Sequence, residues 1–306
     1  MIISASRRTD IPACYADWFF RRLEAGFVCT RNPMNPKQVS RISLSPDVVD
    51  GIVFWTKNPT PMLDKLHLLN GYPFYFQFTL NAYGKDLEAG IPSKNDVIIP
   101  AFQQLSQQIG PDRIIWRYDP IIITSKYTTE YHVHYFEGLA KRLSGHTQKC
   151  VISFVDLYRH LSKQFTPLGE SEIYELAGRF SDIASRYNLK LETCAEAIDL
   201  SRFGIGHGHC IDGELLERII GQPLSLSKDK NQREECGCMA SIDIGMYDSC
   251  LNGCKYCYAN HSAAAVRKNF RLHDPSSPLL YGTIGPDDIV KDRAMESCKI
   301  QQMNLF

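Results

Sequence analysis

Residues 96–118, DVIIPAFQQLSQQIGPDRIIWRY, contain the two local patterns that decide the fold class. Apolar residues in 96–110 recur at the spacing of one helix face, and Gly110 stands where a helix typically ends. Residues 112–118 are rich in Ile, Trp and Tyr, which predicts a buried strand. A helix followed directly by an apolar strand is typical of parallel sheets that are covered by helices.

The same alternation extends in both directions along the chain. Six further runs predict strands, at 1–6, 51–56, 72–80, 149–155, 189–195 and 240–245. Three further segments have helical period, at 12–26, 128–145 and 171–187. These elements predict an α/β fold with a parallel sheet, either a partial or full βα barrel or an open doubly wound sheet. We expect one domain over 1–272, which includes a cysteine-rich unit at 236–272, followed by an extension and tail at 273–306.

Composition excludes several classes of protein. A chain of 306 residues with 44% hydrophobic content can bury a full core without disulfides. No run approaches the roughly 20 apolar residues of a membrane span, and the N-terminus has no apolar signal segment, so we expect a cytoplasmic protein without a membrane partner. Lys plus Arg and Asp plus Glu both number 34, so no net charge attracts the chain to nucleic acid, although a local basic patch is compatible with this balance.

Polar residues stand at the ends of the predicted strands. Ligands bind at the carboxyl ends of strands in βα barrels and in open α/β sheets alike. Each such residue alone could cap the next helix or form a structural salt bridge, but together they predict one shared pocket. A metal-independent enzyme would use Arg117, Asp119 and Glu192 for acid–base catalysis. The strand-end candidates are Arg7, Lys57, Arg117, Asp119 and Glu192.

Cys250, Cys254 and Cys257 are spaced C-x3-C-x2-C on a loop after the strand predicted at 240–245. Three thiolates on one compact loop can occupy three positions of a soft-metal site and leave the fourth to a substrate or cofactor. Clustered thiols in a cytoplasmic protein indicate a metal or catalysis rather than disulfides. Zinc, a fully ligated structural cluster and unrelated buried thiols are the alternatives.

The loop CLNGCKYC (250–257) resembles the cluster-binding loop of radical S-adenosylmethionine (SAM) enzymes, with Tyr256 at the aromatic position. The sequence GCKYCYA (253–259) is most similar to the corresponding loop of the spore photoproduct lyase branch. The resemblance implies a [4Fe–4S] cluster on the three cysteines and SAM on the fourth iron. It also implies an electron donor such as flavodoxin or ferredoxin, and a 5′-deoxyadenosyl radical that abstracts hydrogen from an unknown substrate.

The loop differs from that superfamily in its position, since it follows the last predicted strand rather than the first. A circularly permuted barrel accounts for this difference if the strand at 240–245, the loop and the helix at 262–270 form one unit beside the N-terminal strand.

If SAM binds here, its carboxylate, ribose diol and sulfonium need a cation, a carboxylate and an aromatic surface, and strand-end position supplies the candidates. Arg7, Lys57 and Arg117 are candidates for its carboxylate or for an anionic substrate. Asp119 or Glu192 would bind its ribose or face its sulfonium, and Tyr256 would lie near the adenine.

The chain as a whole is also similar to an uncharacterised domain-of-unknown-function family that has a C-terminal cysteine cluster. This resemblance implies no reaction. The segments that carry it are ISASRRTDIPA (3–13), RNPMNPKQVSRISLSP (31–46), FWTKNP (54–59), FYFQFTL (74–80) and CID (210–212).

Four further cysteines suggest a second metal site. Cys236 and Cys238 form a C-x-C pair, and Cys194 and Cys210 can supply the other two ligands of an auxiliary iron–sulfur cluster. The alternatives are zinc bound by the C-x-C pair with His207 and His209, or no second metal. The remaining cysteines are interpreted as ordinary thiols: Cys14, Cys29, Cys150 and Cys298.

The last residues, QMNLF from Gln302 to Phe306, resemble the short peptide with which bacterial repair proteins dock on the sliding clamp. The resemblance implies the clamp as a partner and, with the lyase-like loop, a substrate in nucleic acid repair or modification. A tail that packs on its own domain is the alternative. A non-catalytic iron–sulfur or zinc protein that acts as an adaptor is the second functional hypothesis.

Overall fold

The computed structural model describes residues 1–156, 158, 161 and 164–300. The strands in these residues are β1 Ile2–Ala5, β2 Phe27–Asn32, β3 Asn35–Ser43, β4 Gly51–Thr56, β5 Phe74–Thr79, β6 Ile114–Ile121, β7 Lys149–Phe154, β8 Lys190–Cys194, β9 Gly206–Gly208, β10 Ile242–Asp243 and β11 Ile289–Asp292. The α-helices are α1 Ile11–Cys14, α2 Ala16–Ala25, α3 Thr60–Leu63, α4 Ile99–Ile109, α5 Thr129–Leu143, α6 Glu170–Arg186, α7 Gly213–Ile220 and α8 Ala263–Phe270.

The main sheet has eight strands in the order β10-β1-β4-β5-β6-β7-β8-β9, and all neighbours pair in parallel. This confirms the predicted α/β fold with a parallel sheet. The hydrogen-bonded sheet is open in the described residues, because its two end strands, β10 and β9, are not paired with each other. Full closure into a barrel by strand pairing is therefore not observed.

Both faces of this sheet are buried, which explains why its strands are almost continuously apolar. In β4, Ile52 and Phe54 belong to the large core that the helices of one face share. Val53, between them, points to the opposite face and packs with Leu215 and Leu216 of α7. Since successive strand residues alternate between faces, one short apolar strand serves two cores.

The first and last strands of the main sheet are neighbours. β10 pairs in parallel with β1, with Ile242 beside Ile3 and Asp243 beside Ser4. The cysteine loop and α8 follow β10, so this βα unit lies beside the N-terminal strand as the sequence predicted. The predicted helix at 12–26 is interrupted at Tyr15, whose φ of −141° ends α1 before α2 begins.

A second, small sheet was not predicted. The antiparallel pair β2 and β3 is joined by β11, which pairs in parallel with β3. β11 comes from the C-terminal extension, and the backbone N–H of Cys298 also donates to the Asp50 carboxylate at 2.7 Å. The extension therefore packs back on the domain.

The predicted clamp-binding peptide, residues 302–306, lies outside the described residues. Within those residues, no helix combines the length and the apolar character needed to cross a membrane.

His132 of α5 makes stability depend on pH. Its Nδ1 lies 2.8 Å from the Tyr118 hydroxyl and its Nε2 lies 2.9 Å from the carbonyl oxygen of Ile122. Burial lowers the pKa of His132 below its ordinary value, although the bond to Ile122 opposes this shift. The folded state therefore disfavours protonation. Its stabilising contribution is complete above the unfolded pKa, about 6.5, and is lost as the pH falls toward the folded pKa.

We expect the free energy of unfolding of the wild type to fall between pH 7 and pH 5, with a slope from this group of at most about 1.4 kcal/mol per pH unit. His132→Gln keeps one donor and one acceptor and should remove this part of the slope. Urea unfolding across this pH range measures both proteins. The exposed His134→Gln, on the same helix, is the matched control. A His132→Gln slope equal to that of the control would contradict the prediction.

Candidate metal centre and strand-end site

The carboxyl edge of the main sheet gathers most of the predicted site residues. Arg7 follows β1, Lys57 follows β4, and Arg117 and Asp119 lie in β6. Tyr256 reaches this edge from the loop after β10, since its ring centroid lies 5.4 Å from the Lys57 ammonium nitrogen. Because the strands are parallel, their carboxyl ends share one edge, and distant parts of the sequence meet there.

The cysteine loop, residues 250–257, is anchored to the segments that follow three strands. The side-chain amide of Asn252 donates to the buried carboxylate of Asp10 at 2.7 Å. The same carboxylate accepts a bond from the backbone N–H of Lys57 at 2.7 Å. The N–H of Gly90 donates to the carbonyl oxygen of Asn252 at 2.9 Å. The loop is therefore held by residues after β1, β4 and β5.

Gly90→Ala should displace this loop. A Cβ at position 90 would lie 2.7 Å from the carbonyl oxygens of both Leu251 and Asn252. These are backbone atoms, so we expect an overpacking loss of about 1–3 kcal/mol in the free energy of unfolding. Gly138→Ala in α5 is the matched control, since nothing lies within 4 Å of its added Cβ. It should gain up to about 1 kcal/mol of helix propensity. Urea unfolding measures both variants, and the same sign for both would contradict the prediction.

The three thiols of this loop, which we call the loop triad, are half-buried and lie close to one another. Burial raises the pKa of the Cys254 and Cys257 thiols, that of Cys257 to about 11, and the nearby Cys250 raises both further. A hydrogen bond with Cys14, together with burial, raises the pKa of Cys250. The metal-free thiols are therefore protonated at neutral pH, whereas a bound metal cation stabilises thiolates and would release these protons.

Cys14 is a residue that the sequence interpretation missed. It ends α1, the first helix after β1, and its thiol lies close enough to Cys250 to raise the pKa of that thiol. The contact exists because β1 pairs with β10, whose loop carries Cys250. No local signal around Cys14 indicates this contact, which depends on the pairing of the first and last strands.

Glu88 lies beside the loop triad and binds two lysines. Its buried carboxylate pairs with Lys57 at 2.8 Å and with Lys94 at 2.5 Å, and it accepts a bond from the Tyr256 hydroxyl. Burial alone would raise the pKa of Glu88, but the two ammonium groups outweigh burial and hold it below its usual value. Lys57 also interacts with the Cys254 thiol. A cation and an aromatic ring thus border the triad.

Arg117 and Asp119 form a buried ion pair at the end of β6. Arg117 Nη2 lies 2.5 Å from Asp119 Oδ2, and the Ser153 hydroxyl donates to the other carboxylate oxygen. Burial would raise the pKa of Asp119, but Arg117 and this hydroxyl lower it. The carboxylate is ionised and held in place. A catalytic role for the pair stays a prediction, because these contacts also suit a structural salt bridge.

Glu192 has different partners from the other two predicted catalytic residues. Its carboxylate pairs with Lys149 at 2.9 Å and with Lys190 at 2.8 Å. Both lysines begin their strands, so this ion-pair group extends toward the opposite edge of the sheet. In the described residues, none of its ion pairs involves Arg117 or Asp119. The assignment of Glu192 to catalysis stays a prediction.

The four other cysteines that the sequence grouped together also converge. The Sγ atoms of Cys194 and Cys210 lie 3.0 Å apart. The thiol of Cys238 hydrogen-bonds to those of Cys210 and Cys236, and the latter bond lowers the pKa of Cys236 to about 7. We call these four residues the second thiol group. They come from β8, from the loop between β9 and α7, and from the C-x-C segment.

The thiols of both groups are close together, but their arrangement is not that of a metal site. Across residues 1–156, 158, 161 and 164–300, no set of three or more Cys, His, Asp or Glu side chains could hold a metal ion as it stands. The metal ligation that the sequence predicts for either group therefore remains a prediction.

Arg7 has an incompletely satisfied guanidinium. Its Cζ lies 5.3 Å from the ring centroid of Trp55, and its Nη1 lies 4.0 Å from Asp229 Oδ2. Its Nη2 is buried and has no hydrogen-bond partner among the described residues. A buried cationic donor of this kind suits an anionic ligand.

Comparison with protein families matches residues 2–259 to the family described as Domain of unknown function (DUF1848). No curated protein matches the chain. Among solved structures, one match is described as "a putative alpha-L-fucosidase from Bacteroides thetaiotaomicron VPI-5482", with 12% identity and a TM-score of 0.28. It covers 58% of this chain and 86% of that protein. Since the family match spans most of the chain and confirms the domain-of-unknown-function resemblance, the protein belongs to the DUF1848 family.

Proposed function

We propose that the protein is an iron–sulfur enzyme of the radical SAM type, in which Cys250, Cys254 and Cys257 hold a [4Fe–4S] cluster. The supporting observation is that three interacting thiols sit on one anchored loop at the carboxyl edge of a parallel sheet. Once bound by these three cysteines, the cluster would supply one-electron reduction, with the electron coming from a donor such as flavodoxin or ferredoxin. That chemistry would allow reductive cleavage of SAM to methionine and a 5′-deoxyadenosyl radical that abstracts hydrogen from the substrate.

The residues around the triad would bind and orient SAM. Lys57 presents a positive charge beside Cys254, and Glu88 restrains its ammonium group. This cation suits the carboxylate of SAM. Tyr256 is fixed by its bond to Glu88 and provides a flat apolar surface for the adenine. Because these side chains are already held by one another, little ordering is needed when a ligand binds.

Arg7, Arg117 and Asp119 would act on the substrate side of the same edge. Arg7 has a buried donor without a partner, which suits an anionic group of the substrate. Nucleic acid repair or modification is one such role, and it would rely on these local cations because the net charge of the chain is zero. We place the protein in the cytoplasm, where clustered thiols stay reduced.

Cys14 supports a second candidate function. Its thiol lies close enough to Cys250 to raise the pKa of that thiol, and it could supply a fourth protein ligand at the triad. A cluster or zinc ion with four protein ligands has no open position for SAM. The protein would then be a metal-stabilised binding or adaptor protein.

The two candidates differ in their response to SAM. The wild type is reconstituted without oxygen, reduced with dithionite, and studied by electron paramagnetic resonance with and without SAM. Cys14→Ala and a Cys250/Cys254/Cys257 triple alanine variant are studied in parallel. A signal that SAM changes in the wild type and in Cys14→Ala, and that the triple variant lacks, would support the enzyme. A SAM response that appears only in Cys14→Ala, or in none of the proteins, would refute the open site.

A further inference from the structure

The four cysteines of the second thiol group lie near one another and near hydrogen-bond donors. The Sγ atoms of Cys194 and Cys210 lie 3.0 Å apart, and Cys238 is close enough to Cys210 and Cys236 to influence the pKa of both thiols. The backbone N–H groups of Cys210 and Ile211 both donate to the sulfur of Cys238, at 3.2 and 3.4 Å. Such donors stabilise a thiolate and are a usual feature of metal–thiolate sites.

The loop that carries Cys210 is rigidly placed over the sheet. The Tyr75 hydroxyl donates to the carbonyl oxygen of Cys210 at 2.6 Å, and the side-chain amide of Gln77 donates to the same oxygen at 3.0 Å. The Tyr75 hydroxyl in turn accepts from the N–H of Asp212 at 2.9 Å. Three buried polar groups of β5 and this loop therefore fix the position of one thiol.

Two arginines provide positive charge at this group. Arg117 Nη1 donates to the Cys210 sulfur at 2.8 Å. Arg7 lies close enough to Cys238 and Cys210 to interact with both electrostatically, and its buried Nη2 has no hydrogen-bond partner among the described residues. Small apolar thiols in a core would need no such cations, whereas several thiolates around a metal carry net negative charge.

Of the two histidines in the zinc alternative, His209 packs its ring against Gly237 of the C-x-C segment, whereas His207 lies beside Thr193. His207 and His209 are exposed, whereas Cys210 is buried. The His207 Nδ1 lies 3.2 Å from the Thr193 hydroxyl. Because Cys194 and Cys210 are in direct sulfur contact and both histidines are exposed, the contacts favour four sulfur ligands over two sulfur and two nitrogen ligands.

We infer that Cys194, Cys210, Cys236 and Cys238 form a second metal site, in which four thiolates bind a soft transition metal as an iron–sulfur cluster or as zinc. Formation of the site requires rotations of these side chains around the metal. Four protein ligands leave no open position, so the site does not activate SAM. An iron–sulfur cluster here would suit electron transfer to the loop triad at the same edge, whereas redox-inert zinc would only support the structure of the substrate pocket. This inference goes beyond the proposed function and does not depend on it.

The test uses the Cys250/Cys254/Cys257 triple alanine variant, in which only the second group can bind. One sample is reconstituted without oxygen with ferrous iron and sulfide, and another receives zinc alone. We expect roughly four irons with sulfide, or one zinc, per chain. Adding Cys210→Ala or Cys238→Ala should remove that metal, whereas adding Cys29→Ala, which alters a buried thiol of β2, should not.

Cobalt(II) provides a second measurement that needs no additional variant. Its intense sulfur-to-metal absorption in the triple variant reports the number of thiolates, and four are expected. A triple variant that binds no more iron, zinc or cobalt than the same variant with Cys210→Ala or Cys238→Ala added would overturn the inference. A disulfide between Cys194 and Cys210 in protein purified without oxygen would overturn it too. Neither outcome bears on the SAM response of the wild type, so the two proposals can fail separately.

Discussion

Cys254→Ala should lose the iron bound at the loop triad while the chain stays folded. Cys254 lies in the middle of the anchored loop and forms an isolated bridge with Glu88 through backbone atoms, so the alanine variant keeps this bridge. What it loses is one of three sulfur ligands. Removing even an outer-shell partner lowers metal affinity by roughly 10- to 100-fold, and we expect the loss of a direct ligand to exceed this factor.

Iron and acid-labile sulfide per chain, measured after anaerobic reconstitution and desalting, test this prediction. Circular dichroism and urea unfolding report whether the variant is folded. Cys250→Ala and Cys257→Ala should behave alike, and the residual iron should equal that of the triple alanine variant. Cys29→Ala is the control, because Cys29 is a buried thiol of the small sheet. Wild-type iron in all three loop variants would show that the iron is not bound by this loop.

Glu88→Gln should cause the largest loss of stability among the polar residues discussed here. The Glu88 side chain is 2% exposed and neutralises Lys57 and Lys94, whose side chains are 14% and 19% exposed. The glutamine has nearly the same shape but leaves two largely buried ammonium groups without a counter-charge. Breaking a buried ion pair in this way typically costs about 3–5 kcal/mol.

Urea unfolding at neutral pH measures this effect, with Asp86→Asn as the matched control. Asp86 also pairs with a lysine, Lys126, but both side chains are well exposed, at 44% and 59%. The control should therefore lose no more than about 1 kcal/mol. Because the folded pKa of Glu88 is lowered, its contribution is present above the unfolded pKa of about 4.3 and is lost as the pH falls through the folded value. Equal losses for both variants would contradict the prediction.

The buried strands of the main sheet could be predicted because their sequences carry their own signal. Runs such as 51–56 and 149–155 are apolar on both faces, which few structures other than a parallel sheet require. The hairpin of β2 and β3 was missed for the opposite reason. Most of β3 is exposed, and its NPKQVSRIS sequence shows no apolar alternation. Its pairing with β2 and with β11 from the far end of the chain stabilises it.

Part of the site could be predicted in the same way. The spacing of Cys250, Cys254 and Cys257 is a local property, and the parallel sheet implied that strand-end residues would meet. The partners of each charge could not be predicted. Glu88, which binds Lys57, was not among the predicted residues, because it lies in a loop beyond β5 and no pattern marks it. Glu192 has the expected position in sequence but binds lysines instead.

The sequence by itself determined the α/β class, the buried strands and the two sets of cysteines, because hydrophobic period and ligand spacing are encoded within short segments. Tertiary structure alone decided which side chains meet. The pairing of β1 with β10 places Cys14 beside Cys250, and the loop after β9 places Cys210 beside Arg117. Such contacts join residues far apart in the chain, and they form only when the whole sheet has assembled in one strand order.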